Sequence, residues 1–321
     1  MKSYIYLFIA AYSFFACQSR STPDQRALRE STALSKETVV FSPGDSKATQ
    51  HITSVPIPEI VTFAGEKIPI ERTDVREGLE QELIINTFRH SHTLRIIKTI
   101  ERWRPFVTKI LRENNVPEDF IYLAVAESEF DNNARSFAGA VGMWQFMEKT
   151  AKEYDLKINN DVDMRRDPKL ATEAASKFLT KAYGKFNDWT LAAAAYNRGV
   201  KGIKDVLEEQ KADNFFDLHL NQETARYVYR IIALKLILES PEAYGYFVPE
   251  NEKYQPYEFK TVVVDDDINN LVDFALEHNT TYKELRLLNP WFNNTSNFKL
   301  RVGRKESYEI RVPLQQKPGN S

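Results

Sequence analysis

Cysteine occurs once in the 321 residues, at Cys17, so no internal disulfide can staple this fold. Glycine is scarce at 11 residues, which argues against a large β barrel turned by glycines. Neither sign of charge dominates: 43 basic residues meet 45 acidic ones, and the formal charge of −2 gives no general pull toward nucleic acid. The histidines His51, His90, His92, His219 and His278 are scattered, and His90 and His92 cannot share a helix face. The acidic stretch "DDDINN" from Asp265 lacks the glycine and glutamate of a calcium loop. A Gly-x-Ser-x-Gly elbow for a nucleophile is missing too. Neither a metal nor another cofactor is therefore expected.

What is present begins at the N-terminus. Lys2 supplies a positive start, Tyr4 to Ala16 form an apolar run too short to span a bilayer, and Cys17 follows directly. This has the build of a secretory signal, and "FFAC" resembles a loose bacterial lipobox in which Cys17 becomes the lipidated first residue. Residues 1–17 are accordingly expected to be a lipoprotein signal peptide, anchoring the chain to a membrane through lipid. Each buried CH₂ of such an anchor contributes about 0.8 kcal/mol. Residues 18–58, rich in Ser, Thr, Lys, Asp and Pro with little periodicity, read as a disordered tether.

From Asp74 onward the pattern turns helical. "DVREGLEQELIINTFRH" and "TLRIIKTIERWRPFVTKILREN" space their apolar residues at three and four. Helical signals persist to about Tyr244, and Pro249 and Pro256 then break the chain before a small unit from about Tyr257. The expected fold class is mainly α, a helical body over 59–250 followed by a small α+β module over 257–315.

One helix carries the candidate chemistry. In "NNVPEDFIYLAVAESEF", Asn115 can cap, Pro117 fits the first turn, and Glu118 and Asp119 suit the positive end of the dipole. Leu123 and Ala124 precede Glu127 by four and three residues, which places Glu127 on their apolar face near the helix end. Glu129 points roughly the opposite way. A carboxylate held against apolar neighbours loses hydration and keeps its proton near neutrality, as a general acid for a glycosidic oxygen requires. Spacing alone favours the plainer reading, a solvated helix-end residue or a structural ion-pair partner.

The order of motifs resembles the lytic transglycosylases of the goose-lysozyme-like superfamily, of the membrane-bound murein transglycosylase D type. "AES" matches the Glu-Ser pair at Glu127 and Ser128. "ARSFAGAVGMWQFM" matches the Ser-x-x-Gly-Ala-x-Gly-Leu-x-Gln-Phe-Met block, with Met143 at the usual leucine. "AAAAYNRG" carries Tyr196 and Asn197, and "LNQETARYV" carries Glu223, Thr224 and Tyr227. The resemblance covers about Phe63 to Phe247 and implies a lysozyme-like fold. It implies Glu127 as the one acid/base in a groove for peptidoglycan strands, with Ser128 at the helix end beside it among the substrate-binding residues. Ser136 and Gln145 would face the sugars, and Met147 would pack on a sugar face. Tyr196 would orient the N-acetyl group or the carboxylate, Tyr227 would close the site, and Asn197 would hold the Tyr196 loop. Trp144 and Phe146 are expected in the core.

Ordinary glycosidases need two carboxylates. The family implies a different route, with no water and no metal. Glu127 protonates the bond between N-acetylmuramic acid and N-acetylglucosamine, the substrate's acetamide stabilises the cation, and Glu127 then deprotonates the C6 hydroxyl to close a 1,6-anhydro ring. Two alternatives stay open. A hydrolase of the same fold would use Glu129, Asp131, Asp167 or Glu223 to place water, and a silent peptidoglycan-binding lipoprotein would use none of them. The implied setting is the bacterial envelope, facing the periplasm, on the outer membrane.

The C-terminal unit resembles a lysin motif, a strand–helix–helix–strand module for N-acetylglucosamine-containing glycans. Val262 to Val264 are the expected first strand, Asn269 to His278 and Tyr282 to Leu288 the helices, Asn289-Pro290 the turn and "YEIRVP" the closing strand. Asp266 and Asp267 stand where the usual Gly-Asp-Thr would be.

Overall fold

The computed structural model describes residues 53–293 and 298–314. Cys17 and most of the segment read as a tether lie outside them. The last part of that segment belongs to the packed body: Val55 is buried, and the Pro56 carbonyl accepts a hydrogen bond from the Tyr244 hydroxyl at 3.3 Å.

A two-residue hairpin, β1 (Thr62–Phe63) and β2 (Glu66–Lys67), precedes eight helices. These are α1 (Thr73–Phe88), α2 (His90–Glu113), α3 (Ile121–Ser128) and α4 (Glu148–Glu153), then α5 (Pro168–Phe186), α6 (Trp189–Arg198), α7 (Val200–Gln210) and α8 (Gln222–Glu239). Several helix starts follow from single side chains. The Asp167 carboxylate accepts from the backbone N–H groups of Lys169 and Leu170, with Pro168 in the first turn where its missing N–H costs nothing. Asp188 and Asn221 cap α6 and α8 in the same way.

The start of α3 differs from expectation. Asn115 does not cap it. It takes a left-handed φ of 56° after α2, and the chain enters α3 through a 3₁₀ turn at Glu118–Phe120 with no side-chain cap. What fixes α3 is burial, since Ile121, Tyr122, Leu123, Ala124 and Val125 are all at most 2% exposed. A helix apolar on every side belongs in a core. Burying each of its larger side chains contributes roughly 1.5–3 kcal/mol. Helix α8 packs against α1, α3 and α6, and alanines at Ala192 to Ala195 let α6 approach closely.

The C-terminal module has strand–helix–helix–strand order: β3 (Phe259–Val264), α9 (Leu271–Glu277), α10 (Tyr282–Leu288) and β4 (Tyr308–Pro313). Its strands pair antiparallel, Val262 opposite Ile310. Asn289, fully buried, closes the module: its amide nitrogen donates to the Leu285 and Arg311 carbonyls, and its oxygen accepts from the Arg311 N–H. The Asn-Pro turn is thus a structural clasp.

The module is docked on the helical body through buried polar contacts. Arg311 donates to both Asp167 oxygens, at 2.9 and 3.2 Å, with both side chains at most 8% exposed. The Asp163 N–H donates to the Trp291 carbonyl and the Asn293 N–H to the Asp161 carbonyl, each at 2.8 Å. Removing one partner of a buried pair strands the other's charge. Arg311→Ala should therefore lower stability by about 3–5 kcal/mol in chemical denaturation, Asp167 being left behind. A loss under about 1 kcal/mol would mean that the seam is solvated.

Candidate active site

Helix α3 ends where its apolar residues end. Ser128 is its last residue, and Glu129 and Phe130 follow in the left-handed region, with φ of 54° and 63°. Two such residues in succession are strained and need outside support. Phe130 is buried at 3% exposure. The Glu129 carboxylate pairs with Arg95, meets a His92 ring nitrogen at 3.0 Å, and lies 4.0 Å from Arg89.

Residues 131–147 then form a tight loop with bridges between Arg135 and Val141 and between Val141 and Phe146. Its tip is closed by Ser136, whose hydroxyl accepts from the Ala140 N–H at 3.0 Å. Gly142 has φ of 86°, and a Cβ there would come within 1.9 Å of the Arg165 carbonyl, so only glycine fits. Gln145 is left-handed too, and its amide nitrogen donates to the Gly142 carbonyl at 2.8 Å. Ser128 fastens the loop to the helix by donating to the Met143 carbonyl at 2.8 Å.

From the far side the loop is held by buried groups. The Trp144 indole N–H donates to Thr172 at 2.9 Å, and Trp144 and Phe146 are both in the core. Tyr196 donates to the Trp144 carbonyl at 2.8 Å, its ring edge-on to Phe146 and Phe178. Arg165, paired with Asp163, donates to the Gly139 and Phe146 carbonyls at 3.3 Å. Asn197 accepts from the Thr224 hydroxyl at 2.8 Å and so joins α6 to α8.

Glu127 sits where these elements converge, half-buried, its carboxylate accepting a short hydrogen bond from the Tyr227 hydroxyl. Desolvation raises its pKa from 4.5 to about 7; the Tyr227 hydrogen bond and the Arg230 charge pull it down, while Glu223 pushes it up. The negative end of α3 acts in the same upward sense. Burial, with the neighbouring Glu127 charge, holds the Tyr227 hydroxyl well above its usual pKa, so Tyr227 stays a donor. The site thus holds a carboxyl group poised between its two protonation states near neutral pH, with a fixed O–H to receive its charge.

Of the residues singled out from sequence, Glu127 and Tyr227 are in direct contact, and Tyr196 is close enough to feel the Glu127 charge. Ser128, Ser136 and Gln145 shape the adjoining loop, and Met147, at 45% exposure, lies open at its end. Fully exposed Phe137 beside Ser136 and buried Arg165 beneath the loop had not been singled out. A bulky aromatic in a polar loop was the available signal for the first. Nothing in the sequence pattern marked the second.

Residues 105–218 match the transglycosylase SLT domain, and residues 260–316 match the soluble lytic transglycosylase C-terminal LysM-like domain. The chain carries an SLT domain. It is 29% identical over 255 residues to the membrane-bound lytic murein transglycosylase D of Escherichia coli, covering 77% of this chain and 56% of that protein. It thus spans little more than half the length of the curated relatives it matches. A stretch of 89 residues is 42% identical to a peptidoglycan transglycosylase of Escherichia phage T7, over 27% of this chain and 7% of that one. Among solved structures, the lytic transglycosylase Slt of Pseudomonas aeruginosa aligns with a TM-score of 0.38 and 19% identity, over 56% of this chain and 33% of that one. The SLT match includes Glu127, the loop and Tyr196, and it stops before Tyr227.

The raised pKa has a stability consequence whose sign is fixed. Between pH 4.5 and about 7 the folded protein binds a proton at Glu127 that the unfolded chain has released, so stability falls as pH rises through that window. Glu127→Gln keeps an acceptor for Tyr227 and removes the titration. At pH 8 the variant should be more stable than the parent by about 3 kcal/mol, and near pH 4 the two should converge. Melting curves at both pH values check this; a variant equally or less stable at pH 8 would show that Glu127 is not desolvated.

Proposed function

We propose that this chain is a peptidoglycan lytic transglycosylase that cleaves the β-1,4 bond between N-acetylmuramic acid and N-acetylglucosamine without water. The observation that carries this reading is Glu127 of the SLT domain, a single desolvated carboxyl with a pKa of about 7, bonded to Tyr227 of α8. Protonated Glu127 gives its proton to the glycosidic oxygen as the bond to the anomeric carbon breaks. The electron pair leaves with the N-acetylglucosamine hydroxyl, and the substrate's acetamide shields the cation. Tyr227 steadies the carboxylate so formed. That carboxylate takes the C6 hydroxyl proton, the C6 oxygen bonds the anomeric carbon, and Glu127 is protonated again. Atoms balance with no water entering.

Hydrolysis needs a second carboxylate to place water, and the four weighed from sequence are not equivalent. Asp167 is committed to Arg311 and Glu129 to Arg95 and His92, while Asp131 accepts from the Asn133 N–H at 2.8 Å. Glu223, exposed on the first turn of α8, is left. Holding the C6 hydroxyl aligned gives it a high effective concentration, which supports ring closure over water attack.

Digestion in ¹⁸O-water tests the chemistry. Mass spectrometry should find 1,6-anhydro ends lacking label, and predominantly labelled reducing ends would make the protein a hydrolase. Glu127→Gln, folded, should lose at least roughly 10³-fold in turnover, since one residue serves as both acid and base. Near-normal turnover would remove Glu127 from the mechanism.

The same reading places the protein in the bacterial envelope, facing the periplasm and held to the outer membrane by lipid on Cys17, with the C-terminal module engaging glycan. Its support is the apolar run before Cys17 and the LysM-like match. Cys17→Ser should leave the protein in the soluble fraction or stalled with its signal attached. A processed Cys17→Ser protein still sedimenting with membranes would exclude the anchor.

A further inference from the structure

Helix α1 packs along α8, and two points one turn apart fix the approach. A Cβ at Gly78 would come within 2.8 Å of the Tyr229 ring, so the helices are close there. Four residues on, fully buried Glu82 accepts from Arg226 Nε at 2.5 Å and lies 3.5 Å from Arg230 Nε. An apolar side chain at this position would seal the seam as well, whereas a buried carboxylate costs desolvation that its partners must offset. The charge at Glu82 therefore calls for a reason other than packing. Both helices lie outside residues 105–218 of the SLT match.

The two arginines bracket Tyr227 on α8. Tyr227 stands about 100° round the helix from Arg226 and about 60° from Arg230. One side of this turn faces Glu82, while Tyr227, beside it, donates to Glu127. Arg230 stands between the two acids: its Nε reaches toward Glu82, and its charge also acts on Glu127, favouring the ionised form. A guanidinium paired with Glu127 would lower its pKa by about 1–3 units and leave no proton to give near neutrality. Among the described residues, Glu82 is the one carboxylate paired with Arg230. The other groups acting on Glu127 do not compete for it. Glu223 is exposed on the first turn of α8, and Tyr196 of α6 is bonded to the Trp144 carbonyl. Arg89, His92 and Arg95 are met by Glu129, Arg104 of α2 is bonded to Tyr122, and Asp131 and Arg135 of the loop are exposed.

We propose that Glu82 is a positioning residue for the acid: by gripping Arg226 and Arg230 it keeps the Arg230 guanidinium off Glu127 and leaves the Tyr227 hydroxyl in that place. The proposal rests on the reading of Glu127 as the proton donor. Glu82 acts through α8 and not by touching Glu127. The acid is thus set from two sides. Helix α3 supplies the desolvated carboxyl, and α1, through α8, draws off the cation that would ionise it.

Carbon NMR of the Glu127 carboxyl, assigned by its absence in Glu127→Gln, reads its titration in the resting full chain. The parent should titrate near pH 7. Glu82→Gln keeps the shape, releases Arg230, and should lower the Glu127 midpoint by about one unit. Arg230→Gln should move the midpoint the opposite way. It leaves Glu82 paired with Arg226, so it decides the matter even where Glu82→Gln does not fold. In the Arg230→Gln background, Glu82→Gln should shift the midpoint much less. An unchanged midpoint in folded Glu82→Gln, no rise in Arg230→Gln, or an equal shift by Glu82→Gln with Arg230 absent overturns the proposal. On glycan, the rate loss in Glu82→Gln should be roughly tenfold greater at pH 8 than at pH 5. An even loss across pH marks a packing role and overturns it too. The titration needs no substrate, so it is decided apart from the transglycosylase reading, which the anhydro ends test.

Discussion

The proton on Glu127 depends on where α3 ends. Residues Ile121 to Val125 are buried because the helix is apolar on all sides, and that burial packs it against α8 and α2, with α1 and α6 in turn against α8. The same packing delivers Glu127 to a place where water is thin and the negative end of a helix lies beneath it. Core formation and acid formation are therefore one event. A polar substitution inside α3 would weaken the fold and let water back to the carboxyl together.

Holding an acid at that point imposes a cost on the chain that follows. Glu129, Phe130 and Gln145 all adopt left-handed backbone, each strained by of order 1–3 kcal/mol. The surroundings offset this locally: an ion-pair cluster fixes Glu129, the core takes Phe130, and the Gly142 carbonyl holds the Gln145 amide. Ser128 and Tyr196 bind two successive carbonyls of the loop, Met143 and Trp144, from opposite sides. The loop is consequently a rigid edge to the site, a condition for holding reacting groups in register.

Much of this was legible in the chain itself, for identifiable reasons. Apolar residues at three- and four-residue spacing marked the long helices, and Leu123 and Ala124 put Glu127 on an apolar face. The order of the module's elements followed from strand and turn residues, with Tyr282 to Leu288 and Tyr308 to Pro313 found as read. Local capping was less secure. Asn115 suits a cap, but it was needed for the left-handed turn out of α2. Contacts between distant residues carried no periodic signal. Tyr227 bonds Glu127 across 100 residues, Arg226 meets Glu82 across 144, and Arg311 meets Asp167 across 144. Each of these is decided by how helices and strands come to lie together.

Those distant contacts share a pattern that explains why the site has one acid. Four inward carboxylates of the body are each matched to a guanidinium: Glu82 to Arg226, Glu129 to Arg95, Asp163 to Arg165, Asp167 to Arg311. A matched carboxylate has its oxygens occupied, so it is poorly placed to orient water. Glu127 alone among them is met by a neutral hydroxyl, and Arg230, whose charge does reach it, is drawn toward Glu82 instead. Exposed Glu223 adds a small push in the same direction, making ionisation of Glu127 harder. Pairing the neighbours is thus what isolates the acid, and a lone titrating carboxyl is the arrangement that a reaction returning its proton to the same residue requires.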